Sequence, residues 1–254
     1  MRIESMQNKR IKLVKALSQK KERDKEGLFI AEGLRFVKEA KDRVFTVVSD
    51  SFLAGEGRGL FLEGELLQVP DGLFQAISAT EHPQGILAVV RQKTYTLEEL
   101  EGDAKGLYLL AEEIQDPGNL GTILRTADAC GADGVILTKG TVDVFNPKVL
   151  RSTMGSIFHI PVVMEVTAQQ AIRWLHSKGI RIYAAHLRGE QTPYTLPLQE
   201  GCCFVIGNEA QGLREETAKA CDQLVKIPMP GQAESLNAAV AAAILLYEAV
   251  RQRQ

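Results

Sequence analysis

No apolar run in this chain approaches the roughly 18–20 residues needed to cross a bilayer. The best candidate, the alanine-rich stretch from Ala238 to Leu246, is too short and runs into Glu248, Arg251 and Arg253. The opening segment, MRIESMQNKRIKLVK, lacks the apolar centre of a secretion signal. A cytoplasmic protein with no membrane partner is therefore expected. Cysteine is scarce too. Cys130, Cys202, Cys203 and Cys221 form no CxxC pair, and adjacent Cys202 and Cys203 make a poor bridge. They read as small hydrophobes in a reducing compartment. His82, His159, His176 and His186 are scattered without ligand spacing, so no metal is expected. The patterns GxxxxGK(S/T), GxSxG and HExxH are missing, and the glycine-rich run at 55–59 lacks GxGxxG spacing. Those absences set aside the usual nucleotide-loop, hydrolase and metalloprotease chemistries.

What remains is a chain of 254 residues, 45% hydrophobic and 24% charged, which fits a globular protein of one large or two ordinary domains. Its formal net charge of −2 hides a local excess. Between Arg2 and Lys25 there are nine basic and three acidic residues, a net of +6. Asn8 suits a helix N-cap, and Ile11, Val14 and Leu17 recur at helical spacing. Lys9, Arg10, Lys12 and Lys15 stand around that stripe. Read alone, they form either an arm for a phosphate backbone or a solvated face of a packed helix.

The chain then divides by composition. Residues 1–26 are the basic arm and residues 27–93 a small α/β domain, with strands near Leu28–Ile30, Val44–Val48, Leu66–Val69 and Gly85–Val90. Residues 94–105 are a polar linker. From 106 to 254 strands and helices alternate, which predicts a mostly parallel sheet covered on both faces. Ligands of such sheets sit at the carboxyl ends of strands. Three polar stretches fall there.

The first is DPGNLGTILR at 116–125. Pro117 and Gly118 make a turn and Asn119 is expected to cap the helix. Arg125 follows within two turns. Its guanidinium suits a phosphate or carboxylate, or equally a surface pair with Asp128. The second is FVIGNEAQGL at 204–213, where Gly207 marks a close backbone approach and Glu209 sits at a strand–helix junction. The third is IPMPGQAESLNAAVAAAI at 227–244. It is a strand end, a kinked loop and a helix of small residues, suited to a pocket built from backbone.

Taken in this order and near these separations, NLGTILRTA, FVIGNEAQGL and IPMPGQAESLNAAVAAAI resemble the SpoU (TrmH-like) family of SPOUT RNA methyltransferases. The likeness runs from about Leu107 to Tyr247. Upstream, GLFIAEGLRFVKEA and QGILAVV resemble the family's substrate-binding domain, which is ribosomal-protein-L30-like. The resemblance implies an α/β SPOUT domain with a parallel sheet and a deep trefoil knot; periodicity alone gives only an unknotted doubly wound sheet. It also implies S-adenosylmethionine as cofactor, RNA as partner and a homodimer.

Carried over residue by residue, cofactor contacts fall at Gly207, Ile227 and Leu236, with Leu137, Thr138, Asn208, Gly212 and Met229 as neighbours. Arg125 matches the catalytic arginine, and Asn119, Glu209, Ser235 and Asn237 would position substrate and cofactor. Lys9, Arg10, Lys12 and Lys15 would then touch RNA. The implied reaction is methylation of a ribose 2′-hydroxyl, in 23S ribosomal RNA first. A tRNA substrate, a resistance-type ribosomal RNA methyltransferase and a non-catalytic assembly factor are the alternatives.

Overall fold

The structure, a computed structural model, describes residues 1–60 and 63–254. Two compact units are present, one of residues 1–93 and 145–150, the other of residues 94–144 and 151–254.

In the first unit the elements are α1 (Lys9–Ala16), α2 (Lys20–Glu26), β1 (Leu28–Glu32), α3 (Leu34–Glu39), β2 (Arg43–Ser49), α4 (Asp50–Ala54), β3 (Glu65–Val69), α5 (Asp71–Ile77) and β4 (Ile86–Arg91). The sheet order is β1-β4-β2-β3. β4 runs antiparallel to β1 and β2, and β3 parallel to β2. Asn8 caps α1 by accepting the Arg10 N–H at 2.8 Å. Ile11, Val14 and Leu17 enter the same core as Phe45, Val47, Leu67 and Leu87. Each buried aliphatic of this size contributes about 1.5–3 kcal/mol, so the basic segment is also structural.

Its charges split into two groups. Lys9, Lys12 and Lys15 are exposed and make no ion pair among the described residues. Arg10 pairs with Glu65 at 2.9 Å and lies 5.0 Å from the Phe45 ring centroid. Residues 145–150 also belong to this unit, with the Phe145 ring 5.0 Å from that of Phe29.

The remaining elements are β5 (Leu107–Ala111), α6 (Pro117–Ala129), β6 (Gly134–Thr138), α7 (Pro147–Thr153), β7 (Val162–Val166), α8 (Ala168–Ser177), β8 (Arg181–Ala185), β9 (Cys202–Ile206), α9 (Glu215–Ala220), β10 (Gln223–Val225) and α10 (Ala238–Arg253). Six parallel strands lie in the order β10-β8-β9-β5-β6-β7. β5, β6 and β9 are buried along their whole length. Strands covered on both faces read as continuous apolar runs, as LYLLA and CCFVI do. α10 packs on α6 and β9, while α8 packs on β8 and α9. Ala238, Ala239 and Ala242 are buried, so the alanines of α10 serve close helix packing. No helix of the described residues is long and apolar enough to cross a membrane.

The end of β10 is held on both sides. His186 donates its N–H to the Val225 carbonyl at 2.9 Å, and Lys226 donates to the Gln191 carbonyl at 2.9 Å. The Val225 carbonyl and the Lys226 N–H belong to one trans peptide group and point in opposite directions, so residues 186–191 close around Val225–Lys226. Gly189 permits this. A Cβ there would lie 2.7 Å from the Lys226 nitrogen and the Val225 carbonyl carbon.

Candidate active site

Four loops leave the carboxyl ends of β5, β8, β9 and β10. The last three meet around a cavity of about 370 Å³, within the range of small-molecule sites. Of the residues expected to touch a cofactor, Gly207, Asn208, Gly212, Ile227, Met229 and Leu236 line it. Leu137 and Thr138 do not. Both are buried in β6, and the Thr138 Oγ1 accepts the Glu113 N–H at 3.0 Å. Glu209 and Ser235 also line the cavity.

The close approach expected at Gly207 occurs within its own loop. A Cβ there would sit 2.4 Å from the Gly212 carbonyl carbon and the Leu213 nitrogen. Asn208 and Gly212 exchange backbone hydrogen bonds at 3.1 and 2.9 Å, and Gly212 has φ +69°. The Asn208 side chain is consumed in building this loop. Its Oδ1 accepts from Ala210 and Gln211, and its Nδ2 donates to the Glu113 carbonyl at 2.8 Å. Glu113 is a non-glycine residue at φ 53°, and its carboxylate pairs with Arg214.

α6 begins earlier than expected, and its cap is different. Asp116, not Asn119, is the N-cap, accepting the Asn119 N–H at 2.7 Å, with Pro117 at the first helical position. Proline is favoured there because its missing N–H is one the helix start leaves unpaired. The exchange of caps frees the Asn119 amide for a different task. Its Nδ2 donates to Glu209 at 2.9 Å, and its Oδ1 accepts from the Asn237 Nδ2 at 2.8 Å. Asn237 in turn caps α10, accepting from Ala239 and Val240. One chain of side chains therefore links the β9 loop and the starts of α6 and α10.

Glu209 also accepts the Gln115 and Asp116 N–H groups, each at 3.1 Å. Desolvation pulls its carboxyl upward, but the hydrogen bonds from Asn119 and the loop amides outweigh it. The net value lies below the usual carboxylate range.

Arg125 is exposed on α6, six residues beyond Asn119 and roughly 9 Å along the axis. It makes no hydrogen bond or ion pair with the described residues. Asp128, its alternative partner, instead faces His159 at 3.0 Å. A guanidinium without a carboxylate partner is available to a phosphate.

The lining also includes His186 and Leu187 after β8, Lys226 just before the third stretch and Glu234 within it, none of them expected there from the sequence. For His186 and Leu187 the one local sign in the sequence is Gly189, shortly after a strand; Lys226 and Glu234 have none. Two carboxylates, Glu209 and Glu234, against the single ammonium of Lys226 leave the lining with a net negative charge that suits a cationic ligand. Among the described residues no group of three or more His, Cys, Asp or Glu is placed to hold a metal.

A parallel sheet whose carboxyl edge bears a cavity of main chain, small side chains and carboxylates defines a cofactor-binding α/β domain. The chain belongs to the SpoU rRNA methylase family, whose model matches residues 106–247, and residues 8–88 match the MRM3-like substrate binding domain. It is 39% identical over 248 residues to 23S rRNA (guanosine(2553)-2'-O)-methyltransferase RlmP of Bacillus subtilis (strain 168), covering 96% of this chain and 97% of that protein. The crystal structure of an AdoMet-bound rRNA methyltransferase from Sinorhizobium meliloti aligns with a TM-score of 0.89 at 34% identity, covering 100% of this chain and 98% of that one. The SpoU methyltransferase AviRb from Streptomyces viridochromogenes, in complex with AdoMet, aligns at 0.89 with 30% identity, over 97% and 98% of the two chains.

Proposed function

We propose that this chain transfers a methyl group from S-adenosylmethionine to a ribose 2′-hydroxyl of 23S ribosomal RNA, in the cytoplasm. The family membership and the relatives' names support this reading. The observation that carries it is the linked set Glu209–Asn119–Asn237 beside the cavity, with Arg125 unpaired on the same helix as Asn119.

The cavity's size, its apolar Ile227 and Leu236 and its two carboxylates fit a cationic sulfonium cofactor. Bound there, S-adenosylmethionine supplies an electrophilic methyl group. The chain's own residues do the rest. Glu209 and Asn119 fix the starts of α6 and α10, and Ser235 at the lining positions the reacting groups. Arg125 holds an RNA phosphate and polarises the attacking hydroxyl. An arginine stays protonated in proteins, so the proton leaves through phosphate or solvent. Replacing Arg125 with Ala removes a charged donor at the reacting centre, and a loss of about a hundredfold or more in methyl transfer is expected. Cofactor binding by calorimetry should be unchanged. Mapping 2′-O-methyl sites in RNA from cells with and without the protein identifies the nucleotide, and an unchanged map overturns the reading.

In the same reading Lys9, Lys12 and Lys15 contact RNA phosphates, while Arg10 serves Glu65 and Phe45. Because α1 supplies core residues, the test is charge reversal of the three lysines, not truncation. RNA affinity should weaken and its salt slope flatten. The chain acts as a homodimer. Support comes from α10, where Val240 and Tyr247 are 46% and 66% exposed and share a face with half-buried Ile244. Sedimentation of a Tyr247→Asp variant tests this, with a shift to monomer expected. The clasp of residues 186–191 around Val225–Lys226 supports a knotted path of the kind the family has.

A further inference from the structure

The far edge of the second unit's sheet carries another cavity, which none of the chemistry above uses. It measures about 390 Å³ and lies beside β7, at the opposite end of the sheet from β10. Local chain features build it. Tyr95 forms an isolated parallel bridge with Val163, which brings residues 95–98 along β7. After β7 a capping box of Thr167 and Gln170 starts α8. Gln170, Arg173 and Trp174 are three and four residues apart, so they share one face of that helix, and all three line the cavity.

Trp174 is partly buried. Its ring meets Tyr108 edge-on, at 5.5 Å between centroids and 90°. The Lys178 Nζ lies 5.7 Å from its centroid. Arg173 is exposed and makes no hydrogen bond or ion pair with the described residues. Trp174 and Arg173 line the same cavity and Lys178 lies over the indole; a part-exposed indole with cationic side chains nearby is the chemistry of a stacking platform with phosphate-binding charges. Glu98 is the acidic residue of the lining. A carboxylate repels phosphate but can accept base N–H groups.

We propose that this cavity binds an unstacked nucleotide of single-stranded RNA, with the base on Trp174 and the phosphate at Arg173. The proposal rests on the reading of the chain as an enzyme that acts on RNA. It adds a contact remote from the cofactor cavity, on the other edge of the sheet.

Trp174 is the single tryptophan of the chain, so its emission reports this site directly. The probe is a mixed-sequence single-stranded RNA of about twelve nucleotides, a length within the range of single-strand sites. Titrating it into the full-length protein should quench Trp174 emission saturably, and less strongly at high salt. Arg173→Ala should weaken the affinity several-fold. Trp174→Leu should weaken it about tenfold, read by anisotropy of labelled RNA. Cofactor binding by calorimetry confirms that both variants remain folded. RNA bound with emission unchanged, or bound equally by wild type and variants, overturns the proposal. So does failure of the wild-type protein to bind the RNA. Emission that shifts with protein concentration and not with RNA would assign the face to a second protein chain, and also overturns it. Failure to bind S-adenosylmethionine counts against the methyltransferase reading and leaves the quenching result intact.

Discussion

Glu32 in the first unit and Glu209 in the second each accept three hydrogen bonds, and they use them differently. Glu32 accepts from the Ser78 hydroxyl at 2.5 Å, the Thr80 hydroxyl at 2.7 Å and the Ala79 N–H at 3.0 Å. All three donors belong to one loop. Glu209 accepts two loop amides and the Asn119 side chain, and Asn119 goes on to Asn237. The first carboxylate pins a loop. The second fixes the relative placement of two helix starts at a cavity. Counting hydrogen bonds does not separate a pin from a link in a site; following the donors outward does.

The largest effect is expected for Glu209→Gln. Its new amide must face one of the donors that the carboxylate accepts, and the starts of α6 and α10 lose their reference. Misplacement of this kind costs about a hundredfold in transfer rate, measured under saturating cofactor and RNA. Glu32→Gln should cost about 1 kcal/mol of stability through a disrupted, part-buried donor set, read by denaturant unfolding. Its transfer rate per folded molecule should match wild type, and a hundredfold loss there would erase the distinction.

Asn237→Ala should do both things at once. It removes a cap worth about 1 kcal/mol and cuts the link to Asn119, so unfolding midpoint and transfer rate should fall together. Asp116→Ala should cost a similar cap energy of about 1 kcal/mol with a smaller loss of transfer, because Asn119 keeps its partners.

The smallest effect concerns pH. The Glu209 carboxyl is depressed in the folded protein, so the fold favours its charged form. The stability this contributes is fully present above the unfolded value of about 4.3. It is lost only as pH falls through the lower folded value. Unfolding curves should show no pH dependence from Glu209 near neutral pH, where its contribution is complete, and a loss in acid that Glu209→Gln abolishes.

Much of this was legible in the residues. The strands announced themselves as short apolar runs, and the Asn8 cap with Ile11, Val14 and Leu17 marked α1. What was missed has physical causes. Both Asp116 and Asn119 are good caps, and choosing Asn119 overlooked Pro117, whose place at the first helical position assigns the cap to Asp116. The cavity role of His186 and Leu187 depends on a loop that returns to β10, a long-range path that no local pattern encodes. Residues 145–150 joined the first unit through Phe145 and Phe29, a pairing invisible to composition.

The clasp at Val225–Lys226 also has a consequence for the chain as it is made. β8 precedes β10 by some forty residues of sequence, so its outer edge is an unpaired row of peptide groups until β10 arrives. Such edges invite pairing with other chains. The loop at 186–191 lacks its partners on Val225 and Lys226 over the same interval. The cavity between the β8, β9 and β10 loops, which needs both, is then among the last features to appear in a newborn molecule. Chains cut short before residue 223 should be recovered as aggregates, not as soluble fragments.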